Sequence, residues 1–285
     1  MRPKVFKDFS EVEDDIRKNA PPVVYKYRSW DDKFHKGLLK NKVVWFSHPF
    51  DLNDPLDVRP EAIFDNSEFY DDRYFKKMLL GADSIFPEMS KHQRFLKAKA
   101  QWEEIKANPG IVIQNMKNWN SNRNNFDRIG VFSTCSSGTN IKMWEEYGNF
   151  HKGFCIGFKT VEFCRKINSG FGIVKYDDTP YMHSFLAELD IDYDEVHKLD
   201  PLYTKKKIWV HEQEFRFITV GIGEDVNRLQ SFDKESVEEI IIGNEINGED
   251  QRMIMKNIEE NYPPNLPIYK IDKNNLHCLG RIRIR

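Results

Sequence analysis

Residues 207–220 read KIWVHEQEFRFITV, and this stretch decides how the rest of the chain is interpreted. From Glu212 onward polar and apolar residues alternate, which is typical of a β-strand with one buried face. Glu214 and Arg216 then share a face with Glu212, while Phe215 and its apolar neighbours point into a core. The pattern predicts a strand that carries three ionisable groups on one side of a sheet.

Similar strand signals recur along the chain and are separated by helical patterns. Strands are expected at 23–28, 42–47, 129–134, 153–158, 171–176, 240–242, 266–271 and near the C-terminus. Helices are expected in a lead-in segment at 1–22, between 29 and 41, at 160–167, between Asp200 and Trp209, and at 248–260. Helical periodicity over about 67–125 indicates a helical insertion. We therefore predict a single elaborated α+β domain over 1–285, with a mixed, mostly antiparallel sheet of six or more strands.

Composition argues against several classes of protein. The chain has 43 Lys and Arg against 45 Asp and Glu, a balance unlike that of strongly basic nucleic-acid binders. No C-x-x-C pair occurs among Cys135, Cys155, Cys164 and Cys278, and the histidines show no H-E-x-x-H spacing. A signal-peptide core, a membrane-length apolar run and a G-x-G-x-x-G turn are also missing from the sequence. We expect a cytoplasmic protein with no membrane contact and no bound metal.

Glu212 and Glu214 are the candidate catalytic residues. Two carboxylates on one face of a strand lie roughly 7 Å apart. They can divide acid, base and electrostatic roles if one is desolvated and the other stays wet. The alternative is a solvated strand face on which Arg216 pairs with a neighbouring glutamate.

The stretch from Trp144 to Lys152 concentrates aromatic, basic and glycine residues before a strand. Trp144 and Tyr147 lie three residues apart, so they either share a binding wall or are both core. His151 and Lys152 are candidates to contact a phosphate, although such a pair is commonly just surface.

Two further segments supply polar candidates. Residues 131–138 form a strand that runs into a hydroxyl-rich turn, so Ser133 and Thr134 either donate to a ligand or cap the next helix. Ser47, Asn53 and Asp54 lie in or before an Asn-Asp-Pro turn, which is either structural or part of the site.

Several of these motifs occur in an order that resembles a bacterial and phage family, domain-of-unknown-function family twenty-nine seventy-one. The motifs are Tyr25-Lys-Tyr, Phe46-Ser-x-Pro, Asn53-Asp-Pro, Met143-Trp-x-x-Tyr, His151-Lys-Gly, Trp209-x-x-Glu-x-Glu-x-Arg and Ile241-Ile-Gly. They cover about residues 22–245, and Leu56-Asp57 departs from the Phe-Glu more usual in the family. The resemblance names no reaction.

A weaker resemblance is to ADP-ribosyltransferases, through an aromatic-basic first strand, a Ser-Thr-x-Ser strand end and a Glu-x-Glu strand. It implies that NAD is the substrate, that Glu214 binds the nicotinamide ribose and that Glu212 orients an acceptor nucleophile. Residues implied to lie around NAD are Lys26, Tyr27, Arg28, Ser133, Thr134, Trp144, Tyr147, His151, Lys152 and Arg216.

The partners implied are a protein or nucleic-acid acceptor and an antitoxin or regulator, in a toxin or phage-defence setting. Arg281, Arg283 and Arg285 alternate along the last strand and form either a basic edge or a guard against edge pairing.

Two other classes of function stay open. A Mg²⁺-dependent nuclease or phosphohydrolase would use Asp54, Asp57, Glu212 and Glu214 as oxygen ligands. A non-catalytic sensing or interaction module would need none of these carboxylates.

Overall fold

A computed structural model describes residues 9–186, 200–221, 227–272 and 279–285 of the chain. Its strands are β1 Val23–Arg28, β2 Val43–Trp45, β3 Ala62–Phe64, β4 Ile129–Cys135, β5 Phe154–Lys159, β6 Gly170–Ile173, β7 Lys175–Tyr176, β8 Tyr181–His183, β9 Thr204–Lys205, β10 Glu214–Val220, β11 Leu229–Ser231, β12 Val237–Ile242, β13 Ile268–Asp272 and β14 Gly280–Arg283. Its α-helices are α1 Phe9–Asn19, α2 Lys33–Lys40, α3 Asp72–Ile85, α4 Lys91–Ala107, α5 Gly110–Ser121, α6 Ile141–Glu146, α7 Thr160–Lys166 and α8 Gly248–Asn261.

The main sheet has eight strands in the order β14-β13-β12-β5-β1-β4-β10-β6. Neighbouring strands pair antiparallel except β12 and β13, which are parallel. The predicted α+β class and the mixed, mostly antiparallel sheet are confirmed. The expected strand at 171–176 is divided into β6 and β7, and β7 pairs with β9 outside the main sheet.

The strand β10 lies between β4 and β6 and follows the predicted alternation from Glu214 onward. Phe215 and Phe217 are fully buried in the main core, which also includes Phe132. Glu214 and Arg216 project from the opposite face, as the period of two requires. The helix α7 connects β5 to β6 and packs Phe163 into the same core.

The predicted helical insertion is formed by α3, α4 and α5. Ser90 begins α4 with a capping box in which its hydroxyl accepts from the Gln93 amide. These helices surround a separate cluster that includes Phe69, Tyr74 and Phe185. The lobe therefore has a small core of its own beside the main sheet.

The helix expected between Asp200 and Trp209 does not form. Short 3-10 turns at Asp200–Tyr203 and Lys207–Glu212 flank the two-residue strand β9. The strand pairs with β7, and the Lys205 carbonyl accepts a hydrogen bond from the Asp177 amide at 2.9 Å. Sheet pairing and burial of the Lys205 side chain override the local helix signal.

The structure also bears on the predicted lead-in helix, the cysteines and the expected lack of a membrane span. The lead-in helix forms as α1, and residues 1–8 of that segment lie outside the described residues, as does Cys278. Cys135, Cys155 and Cys164 are buried and free. No helix within the described ranges has the length and apolar character needed to span a bilayer.

Of the three alternating arginines at the C-terminus, Arg281 has an acidic partner. Arg281 is paired with the buried carboxylate of Glu239 and lies 4.4 Å from the centre of the Tyr269 ring. Arg283 donates to the Arg285 carbonyl at 2.9 Å. The Arg281 charge is thus used to attach the last strand to the sheet.

Candidate functional site

A cleft of about 890 Å³ opens where β1 and β4 separate. In the described chain the two strands are in register at one pair, Tyr25↔Cys135. Residues 25–28 of β1 and 131–134 of β4 line the cleft. The volume lies in the range of ligand pockets.

A cluster of buried charged side chains forms the floor of the cleft. Arg216 is fully buried and bonds two carboxylates at once: its Nε donates to Glu214 Oε1 at 2.6 Å, and its Nη1 to Asp57 Oδ1 at 2.8 Å. Lys205 Nζ lies 2.5 Å from Glu212 Oε2 and 3.7 Å from Glu214 Oε2. Glu212 and Glu214 are 5% and 2% exposed. The face is therefore buried and not solvated, although Arg216 does pair with a neighbouring glutamate as that alternative held.

The two glutamates have opposite pKa shifts. Burial alone would raise the pKa of Glu214, but Arg216, Lys205 and the Ser133 hydroxyl outweigh it and lower that pKa to about 2. Burial raises the pKa of Glu212 above its ordinary value, and Lys205 offsets this only in part. Glu214 is thus a fixed anion at neutral pH, while Glu212 holds a proton more readily.

A hydrogen-bonded chain leads from Glu212 to the surface. Tyr147 Oη donates to Glu212 Oε1 at 2.7 Å and accepts from Asn53 Nδ2 at 3.0 Å. Burial and the Glu212 charge raise the pKa of Tyr147, so the phenol stays protonated as the donor. The chain fixes the orientation of the carboxylate at the cleft.

Glu212 is not part of the strand, contrary to the sequence prediction. It ends the 3-10 turn Lys207–Glu212, and Gln213 adopts the left-handed conformation with φ 44° and ψ 51° before β10 begins at Glu214. The turn at Gln213 brings the carboxylates of both Glu212 and Glu214 close to Lys205. Glu212 and Glu214 are therefore neighbours because of this turn and not because of strand alternation.

Asp57 is held by a second unusual backbone conformation. The residue after it, Val58, is buried and has φ 66°, a region that β-branched residues rarely adopt. The Asp57 carboxylate receives both Nη1 and Nη2 of Arg216, at 2.8 and 2.9 Å. The turn places an acid from outside the sheet against the Arg216 guanidinium.

Lys26 and Arg28 form a basic wall on β1, opposite the acids. Lys26 Nζ donates to the Ser133 carbonyl at 2.5 Å. Across the described chain neither cation has a carboxylate within 4 Å. Burial lowers the pKa of Lys26 well below its ordinary value and that of Arg28 to about 10. The cleft therefore holds two desolvated basic groups that have no ion-pair partner in the described chain.

The remaining predicted residues divide between the cleft and the core. Ser47, Asn53, Ser133, Thr134, Tyr147 and Tyr27 line the cleft. The Thr134 hydroxyl donates to the Phe215 carbonyl at 2.6 Å, and the Tyr27 hydroxyl donates to the Ser137 carbonyl at 2.6 Å. These two hydrogen bonds to backbone carbonyls stabilise the walls of the cleft.

Trp144, His151, Lys152, Arg216 and Asp54 do not line the cleft. Trp144 is fully buried, and His151 stacks on it with ring centres 5.7 Å apart. Lys152 is exposed, and Asp54 Oδ1 accepts from the Leu56 amide at 2.9 Å in the turn. Trp144 and His151 thus pack in the core, and Asp54 stabilises its own turn.

Sequence reasoning missed Lys205 and the aromatic side chains at the cleft mouth. Lys205 begins a run of three lysines, a pattern usually found on a surface, and nothing local reveals its carboxylate partners. Phe34, Trp45 and Phe150 line the cleft although each is largely exposed. Phe34, an aromatic residue between Lys33 and His35, was an available signal.

The donor set does not resemble a metal centre. No group of three or more His, Cys, Asp or Glu side chains is arranged to hold a metal ion within the described ranges. Two cations, Lys205 and Arg216, occupy the positions between the carboxylates that a metal would take.

Fold and site together define an α+β protein with a charged cluster at the floor of a cleft between two strands. A sequence model of the family described as "Protein of unknown function (DUF2971)" matches residues 143–217. The predicted family is confirmed over this segment, which contains Tyr147, Lys205, Glu212, Glu214 and Arg216. No curated protein and no solved structure matches the chain.

Proposed function

We propose that this protein transfers ADP-ribose from NAD to a macromolecular acceptor, with an ADP-ribosyltransferase-like arrangement of strands around the cleft. The observation that carries the proposal is the pair Glu212 and Glu214, whose pKa values shift in opposite directions within one cleft. Pairs of this kind divide acid–base and electrostatic roles.

In the proposed reaction the bond between ribose C1′ and the nicotinamide nitrogen breaks, and its electron pair neutralises the pyridinium ring. Positive charge develops on the ribose, and the fixed Glu214 carboxylate stabilises it. The acceptor nucleophile forms the new bond to C1′ and gives its proton to Glu212, whose raised pKa suits a base. Nicotinamide leaves as a neutral molecule.

The basic wall suits the phosphates of NAD. Arg28 presents positive charge into the cleft, and neither it nor Lys26 has a carboxylate partner in the described chain, so an anionic ligand would replace their lost hydration and favour the charged form of Lys26. Tyr147 supplies an aromatic ring beside Glu212 for the nicotinamide end. We propose that Arg216, Asp57 and Lys205 position the glutamates without touching NAD.

The Mg²⁺-dependent alternative is disfavoured because carboxylates that it would use as ligands already have hydrogen-bond partners. Both Asp57 oxygens bond Arg216, and Asp54 is used in its own turn. A cation would have to displace a guanidinium from a fully buried site. Activity that requires Mg²⁺ and not NAD would support this alternative.

The decisive experiment follows nicotinamide release from NAD by the purified protein, with and without cell extract as a source of acceptors. Glu214→Gln should lower release at least about a hundredfold, because one preorganised electrostatic group contributes that much. Glu260→Gln, a change at an exposed glutamate of α8, is the matched control.

Thermal unfolding of both variants separates loss of chemistry from loss of fold. No release by the wild-type protein with any extract would reject the proposal. A biological effect that is intact in Glu214→Gln would instead favour a non-catalytic interaction module.

A further inference from the structure

Three exposed aromatic side chains surround the mouth of the cleft. Phe34 of α2, Trp45 of β2 and Phe150 of the loop after α6 are 79%, 53% and 69% exposed, and all three line the cleft. We call these residues the aromatic rim. Large exposed rings that gather from three separate elements at one opening indicate a surface that binds a ligand.

The backbone that carries Phe150 is strained. Asn149, Phe150 and His151 have φ values of 50°, 50° and 65°, three consecutive left-handed conformations. The loop is closed by a hydrogen bond from the Gly153 amide to the Gly148 carbonyl at 2.9 Å. The same turn seats His151 on Trp144 in the core and leaves the Phe150 ring in solvent at the cleft mouth, a backbone conformation typical of functional loops.

Near the aromatic rim the carboxylates have partners, whereas several basic side chains have no carboxylate partner. The carboxylates at the mouth are engaged: Asp51 with Arg123 at 2.8 Å, Glu145 with Lys142 at 3.2 Å and Glu146 with His211 at 3.1 Å. Lys33 and Lys36 of α2, like Lys26 and Arg28, have no carboxylate within 4 Å in the described chain. Lys33 Nζ lies 5.0 Å from the centre of the Phe34 ring. Free positive charge therefore adjoins the exposed rings.

We propose that the aromatic rim binds single-stranded nucleic acid and that this strand is the acceptor of the transferred ADP-ribose. Unpaired bases stack on Phe34, Trp45 and Phe150, while the phosphates meet Lys33 and Arg28. In a duplex the bases are already stacked on one another and cannot reach the rings, so the rim selects single strands. The acceptor role rests on the proposed function, whereas the binding does not.

Binding is tested by fluorescence anisotropy without NAD. The probes are labelled single-stranded DNA and RNA of about twelve nucleotides, a length within the range of known single-strand sites, and the matching duplex. Single strands should bind about tenfold or more tightly than the duplex. Phe34→Ala and Phe150→Ala should each weaken single-strand binding about tenfold, because each removes a stacking ring. Ile85→Ala, at an exposed apolar residue of the helical lobe, should not.

Transfer is tested with NAD labelled in its adenylate half, and the label on the oligonucleotide is measured. Labelled oligonucleotide from the wild-type protein, and none from Glu214→Gln, is the expected result. Absence of single-strand binding, equal binding of the duplex, or unchanged binding by both rim variants would overturn the proposal. Nicotinamide release with no label on a bound strand would also overturn it, while leaving the proposed NAD chemistry intact.

Discussion

Arg216 is the residue on which the charged cluster depends most. Its guanidinium neutralises two buried carboxylates, Glu214 and Asp57, so its loss leaves both without their principal cation. Arg216→Met should lower the free energy of unfolding by about 3–5 kcal/mol. Arg123→Met, which breaks the exposed pair with Asp51, should cost about 0–1 kcal/mol. Urea denaturation of the two variants measures the difference, and similar losses would contradict a buried-charge origin.

Tyr147 affects, through Glu212, the pH at which activity is lost on the acid side of the pH profile. Its hydroxyl lowers the pKa of Glu212, although burial keeps that pKa above the ordinary value. Tyr147→Phe removes this effect and raises the pKa of Glu212 further. Activity that needs ionised Glu212 should therefore be lost at a higher pH than in the wild type.

A pH profile of nicotinamide release in the presence of acceptor provides the measurement for Tyr147→Phe. Tyr70→Phe is the matched control, because Tyr70 is an exposed tyrosine whose hydroxyl bonds the Lys106 carbonyl. Coincident acid limbs for the wild type and Tyr147→Phe would exclude the link between the phenol and Glu212.

Among the elements, the joint between the 3-10 turn and β10 determines how Glu212 meets Glu214. Gln213 is exposed and left-handed there, so glycine should replace it within about 1 kcal/mol of stability. Gln213→Val should cost about 1–2 kcal/mol, because a β-branched residue fits this conformation poorly. Thermal unfolding should rank glycine above valine. The reverse order would contradict the left-handed conformation at this position.

The strand β10 and the segment before it show how much of this region the sequence predicts. Alternation in β10 correctly placed Phe215 in the core and Arg216 on the other face. It extended the strand two residues too far, because nothing in the pair Glu212-Gln213 marks a left-handed turn in a residue other than glycine or asparagine. The helix expected before Trp209 failed for a related reason, since the partners of Lys205 lie on other elements.

The buried charges make the stability of the whole protein depend on pH. The folded pKa of Glu214, about 2, lies below the value of about 4.3 expected when unfolded. Its stabilising contribution is complete above the unfolded pKa and is lost as the pH falls through the folded one.

Wild-type stability should therefore fall between about pH 4.3 and pH 2, and Glu214→Gln should show a flatter curve. Chemical denaturation at several pH values in this window tests the expectation. Parallel curves for the two proteins would show that other groups control acid unfolding.

The cleft itself could not be predicted from the sequence. Local patterns identified β1 and β4 as strands, but their order in the sheet depends on long-range pairing. Asp57 and Glu214 are 157 positions apart in the sequence and meet only through Arg216. The chemical character of the site was readable at Glu214 and Ser133, whereas its enclosure depends on how distant segments pack.

The limited pairing of β1 with β4 has a consequence for ligand entry. With the register confined to Tyr25↔Cys135, the two halves of the sheet can spread apart with few backbone hydrogen bonds to break. Next to that pair, a hydrogen bond from Lys26 Nζ to the Ser133 carbonyl ties the two strands together. An incoming phosphate would compete for Lys26 Nζ and weaken this tie. Anion capture and widening of the gap are therefore expected to be a single coupled event.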